Sequence, residues 1–359
     1  MKITFVLPAN LMNGGIRVIG IVASTLVARG HDVRLITQPQ RQPTLKRRLK
    51  TLLRDRHWLP ARKDGPFLDP VLDRVSTLET GRPVTDADLP DANVVVATWW
   101  ETAPWVQALS DNKGAKAYFM QDYGAPGQEI EKIAPTWEMP FTFITLNTRL
   151  KAMILERNPG ADVEIMRNAV DQTLFNSAPR PRGRPPKIGL MCRVQASKGM
   201  QTAARALKEA RDALPELRAV AVNAGDEDWP DWVEKPKNPD DRALAEIYRS
   251  CDLWLFPSRM EGFGLPIIEA MASRTPVIST RVGGAPDVIE SGVNGYLVEI
   301  DDWKGMADHA VDLLSGPEAR WAAMGEAAAA TVAEHTWDDA VDVFERALQR
   351  AVQRQTSSK

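Results

Sequence analysis

The stretch DLWLFPSRMEGFGLPIIE, residues 252–269, decides how this chain is read. Leu253 to Phe256 is an apolar run with the composition of a buried strand. Pro257 and Ser258 end it, and Gly262 and Gly264 bracket a turn. Leu265 and Pro266 then start a helix, with proline where its missing N–H is tolerated. Glu261 and Glu269, with seven residues between them, therefore flank a strand-to-helix reversal. The spacing predicts Glu269 in the first turn of that helix. Taken singly, Glu269 is an ordinary helix-starting carboxylate and Glu261 a surface residue. Taken as a pair, they border one space beyond the carboxyl end of a strand, which is where ligands bind in open parallel sheets.

The same alternation extends in both directions. KITFVLPA reads as a first strand, GGIRVIGIVASTLVARG as a helix with Ile16, Ile19, Val22 and Leu26 on one face, and HDVRLIT as the next strand. Strand, helix and strand at this spacing make a parallel βαβ unit. NVVVATWW, AYFMQDY, FTFITLN, the helix TRLKAMILERN and DVEIMRN continue the pattern. SAPRPRGRPPK, 177–187, holds four prolines and reads as a linker. The alternation then restarts with KIGLMCRV, a helix from Lys198, LRAVAVNAG, DDRALAEIYRSC, the glutamate stretch, TPVIST and GYLVE. Two Ala-rich helices are expected at the end. The fold class expected is α/β, with two doubly wound domains in tandem.

At 359 residues with 44% apolar composition, the chain can build two cores. Its net charge of −2 argues against a general nucleic-acid binder. Cys192 and Cys251 lie in apolar runs without metal-ligand spacing and read as buried free thiols. The opening MKITFVLPANLMNGG passes straight into a glycine turn and reads as a strand rather than a signal peptide. Since no run approaches the ~18 apolar residues of a membrane span, a cytoplasmic protein, at most peripheral on a membrane, is expected. Residues 41–63 carry nine Lys/Arg against one acid, Asp55, with Leu45, Leu49, Leu52 and Leu53 at helical spacing. Such a segment suits either a solvated excursion or a helix resting on anionic lipid.

Further features of the second half fall at strand ends. Arg193 follows KIGLMC, and Lys198 with Gly199 opens the next helix. Two cations and a glycine-led helix start suit a diphosphate, and a carboxylate such as Glu269 suits vicinal sugar hydroxyls. Together they point to a sugar nucleotide: ribose at Glu269, diphosphate at Arg193, Lys198 and the Gly264 turn, sugar near Glu261. DED at 226–228 is a literal D-x-D, but lies in a polar loop and reads as solvated.

These residues carry a resemblance. The second half resembles the retaining GT-B glycosyltransferases of glycosyltransferase family 4. EGFGLPIIE matches their E-x7-E motif, RVQASKG (193–199) their Arg-x4-Lys-Gly phosphate grip, and RNAVDQTLF (167–175) their linker-proximal segment with Ala169 in place of glycine. TPVISTRVGGAPDVIESGVNGYLVE and, more loosely, MNGGIRVIGIVASTLVARGHDVRLIT are similar too. The resemblance implies a GT-B architecture: an acceptor-binding Rossmann-like domain over 1–176, the linker 177–187, a nucleotide-sugar domain over 188–335, and a terminal helix, 336–359, that crosses back. In that helix Trp337, Val341 and Phe344 would be apolar anchors.

The activity implied is retaining, metal-independent hexosyl transfer without a cofactor. Glu261, Arg193 and Lys198 would be catalytic. Gly14, Gly15, Phe263, Gly264, Leu265 and Glu269 would bind the donor. A histidine that many relatives place beside the donor sugar has no counterpart here, and FMQDYGAPGQE (119–129) offers Gln121 and Asp122 instead. ATWWETAPWV with YFMQDY is similar to a bacterial rhamnosyltransferase subgroup that builds surface polysaccharide. This implies a dTDP-rhamnose donor, with GDP- or UDP-sugars as alternatives, and a glycan or lipid-linked saccharide acceptor. Trp99, Trp100, Glu101 and Asp122 are expected to line the acceptor side. The competing readings are a sugar-nucleotide epimerase on this fold and a non-catalytic scaffold.

Overall fold

A computed structural model describes the chain except residues 11–12, 41, 57, 59–63, 125–129, 193–194, 226–228 and 358–359. The first half comprises β1 (Lys2–Leu7), α1 (Gly14–Ala28), β2 (Asp32–Thr37), α2 (Leu45–Asp55), β3 (Val75–Thr77), β4 (Val94–Ala97), α3 (Thr102–Gln107), β5 (Ala115–Met120), α4 (Ile130–Ile133), β6 (Thr142–Thr145), α5 (Thr148–Arg157) and β7 (Asp162–Ile165). Its seven strands lie in the order β3-β2-β1-β4-β5-β6-β7, and every ladder is parallel. The second half comprises β8 (Lys187–Met191), α6 (Met200–Ala213), β9 (Arg218–Val222), β10 (Val233–Glu234), α7 (Asp241–Ser250), β11 (Leu253–Phe256), α8 (Leu265–Ala272), β12 (Val277–Thr280), α9 (Ala285–Val288), β13 (Gly295–Val298), α10 (Trp303–Ser315), α11 (Glu318–Ala333) and α12 (Trp337–Ser357). Its six parallel strands run β10-β9-β8-β11-β12-β13.

The central strands are continuous apolar runs because helices cover both faces. Val94, Val95, Val96 and Ala97 of β4, and Leu253, Trp254, Leu255 and Phe256 of β11, are all buried. One apolar cluster joins the first-domain core to the α7–α8 face of the second sheet, and another fills the space beneath α6 and α10. The chain ends in three helices rather than the expected two. The last packs on the first sheet: Val341 and Phe344 are buried, Trp337 is half-buried, and the Phe344 ring sits between Phe5 and Phe119. Arg29, at the end of α1, holds α12 through Asp338, Asp342 and Glu345. The proline-rich segment lies against the second domain, where buried Asp252 accepts from Arg180, from the Gly183 N–H and from the Lys187 N–H.

In each sheet the strand order reverses beside its first strand, between β1 and β4 and between β8 and β11. Loops at the carboxyl ends of these strands diverge around a crevice. The two switch points carry Gly14, Gly15 and Trp99–Glu101 in one domain, and Lys198, Glu261 and the start of α8 in the other.

Candidate donor-site cleft

The loop after β11 is fixed before any ligand is considered. Ser258 and Lys198 both donate to Glu261 Oε1, at 2.8 and 2.7 Å. Arg259 N donates to the Ser197 carbonyl at 2.7 Å, tying the β8 and β11 loops together. Gly199 caps α6 in the left-handed region, and a Cβ there would lie 1.9 Å from the Pro257 carbonyl oxygen. The glycine after the lysine is therefore required by this close approach of two loops. Gly264, at φ 101°, turns the chain into α8. Phe263 is buried, with its carbonyl accepting from Gly284 N at 2.8 Å.

The helix begins at Leu265, as its sequence predicts, and Glu269 is its fifth residue, just past the first turn rather than within it. It is 5% exposed. Tyr248, fully buried on α7, donates its hydroxyl to Glu269 Oε2 at 2.9 Å. Burial and the glutamate charge push the Tyr248 phenol well above its ordinary range, so it stays a donor. Arg17, from the first turns of α1, places a guanidinium nitrogen 3.5 Å from Glu269 Oε1.

The two domains meet at this loop. A Cβ on Gly262 would lie 2.1 Å from the Gln121 carbonyl oxygen, so the β11 loop and the end of β5 touch through bare backbone. Asn147 donates to the Gly262 carbonyl. Asp287 accepts from the Thr148 N–H and hydroxyl, each at 2.8 Å. Gln121 donates to the Gly15 carbonyl at 3.1 Å. A Cβ on Gly14 would stand 3.8 Å from Leu265 Cδ1. The N-termini of α1 and α8 thus oppose each other across the cleft, each presenting the positive end of its dipole.

Of the residues singled out from the sequence, Gly14, Gly15, Lys198, Glu261, Phe263, Gly264, Leu265, Glu269 and Asp122 converge on this cleft. Asp122 lies close enough to Glu261 and Lys198 to feel both charges. Arg193 and the D-x-D at 226–228 lie outside the described residues. Trp99, Trp100 and Glu101 stand half-buried at the end of β4, with Trp100 packed on the core. No hydrogen bond or ion pair joins Glu101 to the opposite wall among the described residues. Sequence reading missed Arg17 and Tyr248, whose partners are far along the chain. It also missed Arg149, whose guanidinium lies over the Tyr123 ring beside Asp122.

Two facing Rossmann-like domains with a cleft at their switch points define the GT-B fold. Residues 185–316 match the family model described as Glycosyl transferases group 1. Over 112 residues the chain is 38% identical to D-inositol 3-phosphate glycosyltransferase of Mycobacterium tuberculosis (strain ATCC 25618 / H37Rv), a match covering 30% of this chain and 23% of that protein. The chain thus spans about a quarter of the length of the curated relatives it matches. Among solved structures, Anabaena Alr3699/HepE in complex with UDP-glucose superposes over 100% of both chains with a TM-score of 0.71 and 17% identity. Sucrose-phosphate synthase from Thermosynechococcus elongatus covers 98% of this chain and 99% of its own, with a TM-score of 0.70 and 16% identity.

Asp122 gives the site a pH signature. Burial raises its carboxyl to about 7 and Glu261 adds to the effect, while the Tyr123 N–H and Lys198 oppose it. An unfolded aspartate titrates near ~3.9. The folded chain holds the proton more tightly, so this group's stabilising contribution is complete below about pH 4 and lost as pH rises through about 7. Urea unfolding of wild type and Asp122→Asn should therefore diverge, with wild type losing ground between about pH 4 and 7 and the difference constant above that window. Parallel profiles across the range would contradict the assignment.

Proposed function

We propose that this protein is a retaining glycosyltransferase that moves a sugar from a nucleotide-diphosphate donor to a saccharide acceptor. The observation that carries the reading is the convergence of Glu261, Lys198, Glu269 and two opposed helix N-termini on one interdomain cleft. In this reading Glu269 accepts hydrogen bonds from the ribose hydroxyls. The diphosphate lies between the N-termini of α1 and α8, held also by Arg193 and Lys198, and the glycines at 14 and 15 let the backbone approach it. Glu261, with Phe263, Gly264 and Leu265, lies against donor sugar and β-phosphate.

Transfer breaks the bond between the sugar C1 and the β-phosphate oxygen and forms one between C1 and an acceptor hydroxyl oxygen. Negative charge develops on the departing phosphate, where fixed cations and helix N–H groups stabilise it. In front-face attack that phosphate oxygen takes the acceptor's proton, so stereochemistry is retained, and neither a metal nor a cofactor enters the scheme. Trp99, Trp100, Glu101 and Asp122 form the acceptor wall. The donors favoured by the sequence are dTDP-rhamnose or a GDP- or UDP-sugar, and the acceptor is a surface glycan or its lipid-linked precursor. Isothermal titration with UDP, GDP, ADP and dTDP, without metal, should find one nucleotide that binds in the micromolar range and is lost in Glu269→Ala. Absence of binding by all four would overturn the reading in favour of a scaffold.

A lipid-linked acceptor would be met at a membrane, and α2 suits that encounter. Leu45, Leu49 and Leu53 are 70%, 51% and 83% exposed on the helix that also carries Lys46, Arg48 and Lys50. Among the described residues no helix is long and apolar enough to cross a membrane. We place the protein on the inner face of the cytoplasmic membrane, with the leucines entering the headgroup boundary and the cations on anionic lipid. Sedimentation with anionic vesicles should carry the protein down at low salt and release part of it at physiological salt. Failure to bind at either ionic strength would remove this localisation.

A further inference from the structure

Arg17 belongs to neither the phosphate grip nor the acceptor wall, yet it reaches across the cleft. It stands on α1, two residues after Gly15, and its guanidinium bridges two carboxylates of the second domain. One nitrogen lies 3.5 Å from Glu269 Oε1 and the other donates to Asp241 Oδ2, at the start of α7, at 3.2 Å. The Arg17 side chain is 22% exposed and that of Glu269 7%, so the inner ion pair is largely shielded from water. Tyr248 holds the opposite oxygen, Oε2. The oxygen of Glu269 that faces the first domain is therefore the one Arg17 covers.

We infer that Arg17 is a first-domain positioning residue of the nucleotide site, a latch that closes the cleft over Glu269 and must yield before a ribose can reach that carboxylate. The ligand half of this inference rests on the proposed function, in which Glu269 receives the ribose. The latch half rests on the ion pairs alone. A diol that takes Glu269 Oε1 replaces the cationic partner of that carboxylate with neutral hydroxyl donors. Binding is accordingly weakened by the fraction of molecules in which the latch is engaged. The same contact ties α1 to both α7 and α8, so nucleotide arrival and interdomain angle are coupled through one side chain.

Two measurements separate the halves. Spin labels on Ala28→Cys of α1 and Glu246→Cys of α7 report the interdomain distance without nucleotide. In Arg17→Ala the distance distribution should lengthen and broaden relative to Arg17. In Asp241→Asn, which keeps the inner pair, it should change less. The nucleoside diphosphate that binds best should bind Arg17→Ala about threefold to tenfold more tightly, with Arg17→Lys intermediate. An unchanged distance distribution in Arg17→Ala would overturn the latch, and weaker nucleotide binding by that variant would overturn the gating role. If no nucleotide binds either protein, the proposed function falls and the gating role with it, while the distances still decide the latch.

Discussion

The cleft depends on a contact between two stretches of bare backbone. At position 262 a single added carbon would sit 2.1 Å from the carbonyl oxygen of Gln121. Because nothing projects there, the β11 loop can lie against the end of β5, which brings Glu261 and Lys198 beside Asp122. Asn147 and Thr148 hold the same seam from the next strand over, through the Gly262 carbonyl and Asp287. A larger residue at 262 would push the β11 loop away from the end of β5 and open the seam between the domains there.

Electrostatics then determine what such a cleft can hold. Burying a carboxylate is costly unless charge and hydrogen bonds answer it, the penalty being several kcal/mol per ion. Glu269 meets this through Tyr248 on one oxygen and Arg17 on the other. Glu261 meets it through Lys198 and Ser258 on a single oxygen. Asp122 has a backbone N–H and a less favourable charge balance, and its carboxyl rises accordingly. Three carboxylates with three degrees of compensation thus share a site whose helix ends carry the opposite sign. A ligand with both hydroxyls and a diphosphate matches that distribution along its length.

Much of the architecture was legible because the central strands, such as VVVA and LWLF, are unbroken apolar runs that can only be covered on both faces. β3 and β10 were not, since three and two residues at a sheet edge leave no periodicity to read. The helix count at the end fell one short, although Gly316 and Pro317 mark the break between α10 and α11 in the sequence. In the site, motif spacing singled out Lys198, Gly199, Glu261 and Glu269, although Glu269 falls just past the first turn of α8 rather than within it. Arg17 and Tyr248 left no such mark. Each acts on Glu269 through tertiary packing, one from the other domain and one from a neighbouring helix, and neither spacing nor composition encodes that proximity.

The most direct test of the central claim is a crystal structure with the best-binding nucleoside diphosphate. The account predicts ribose hydroxyls within hydrogen-bond distance of Glu269, the diphosphate between the N-termini of α1 and α8 with Lys198 against it, and the Arg17 guanidinium displaced from Oε1. A nucleotide bound elsewhere, or bound in the cleft with its ribose turned away from Glu269, would contradict it.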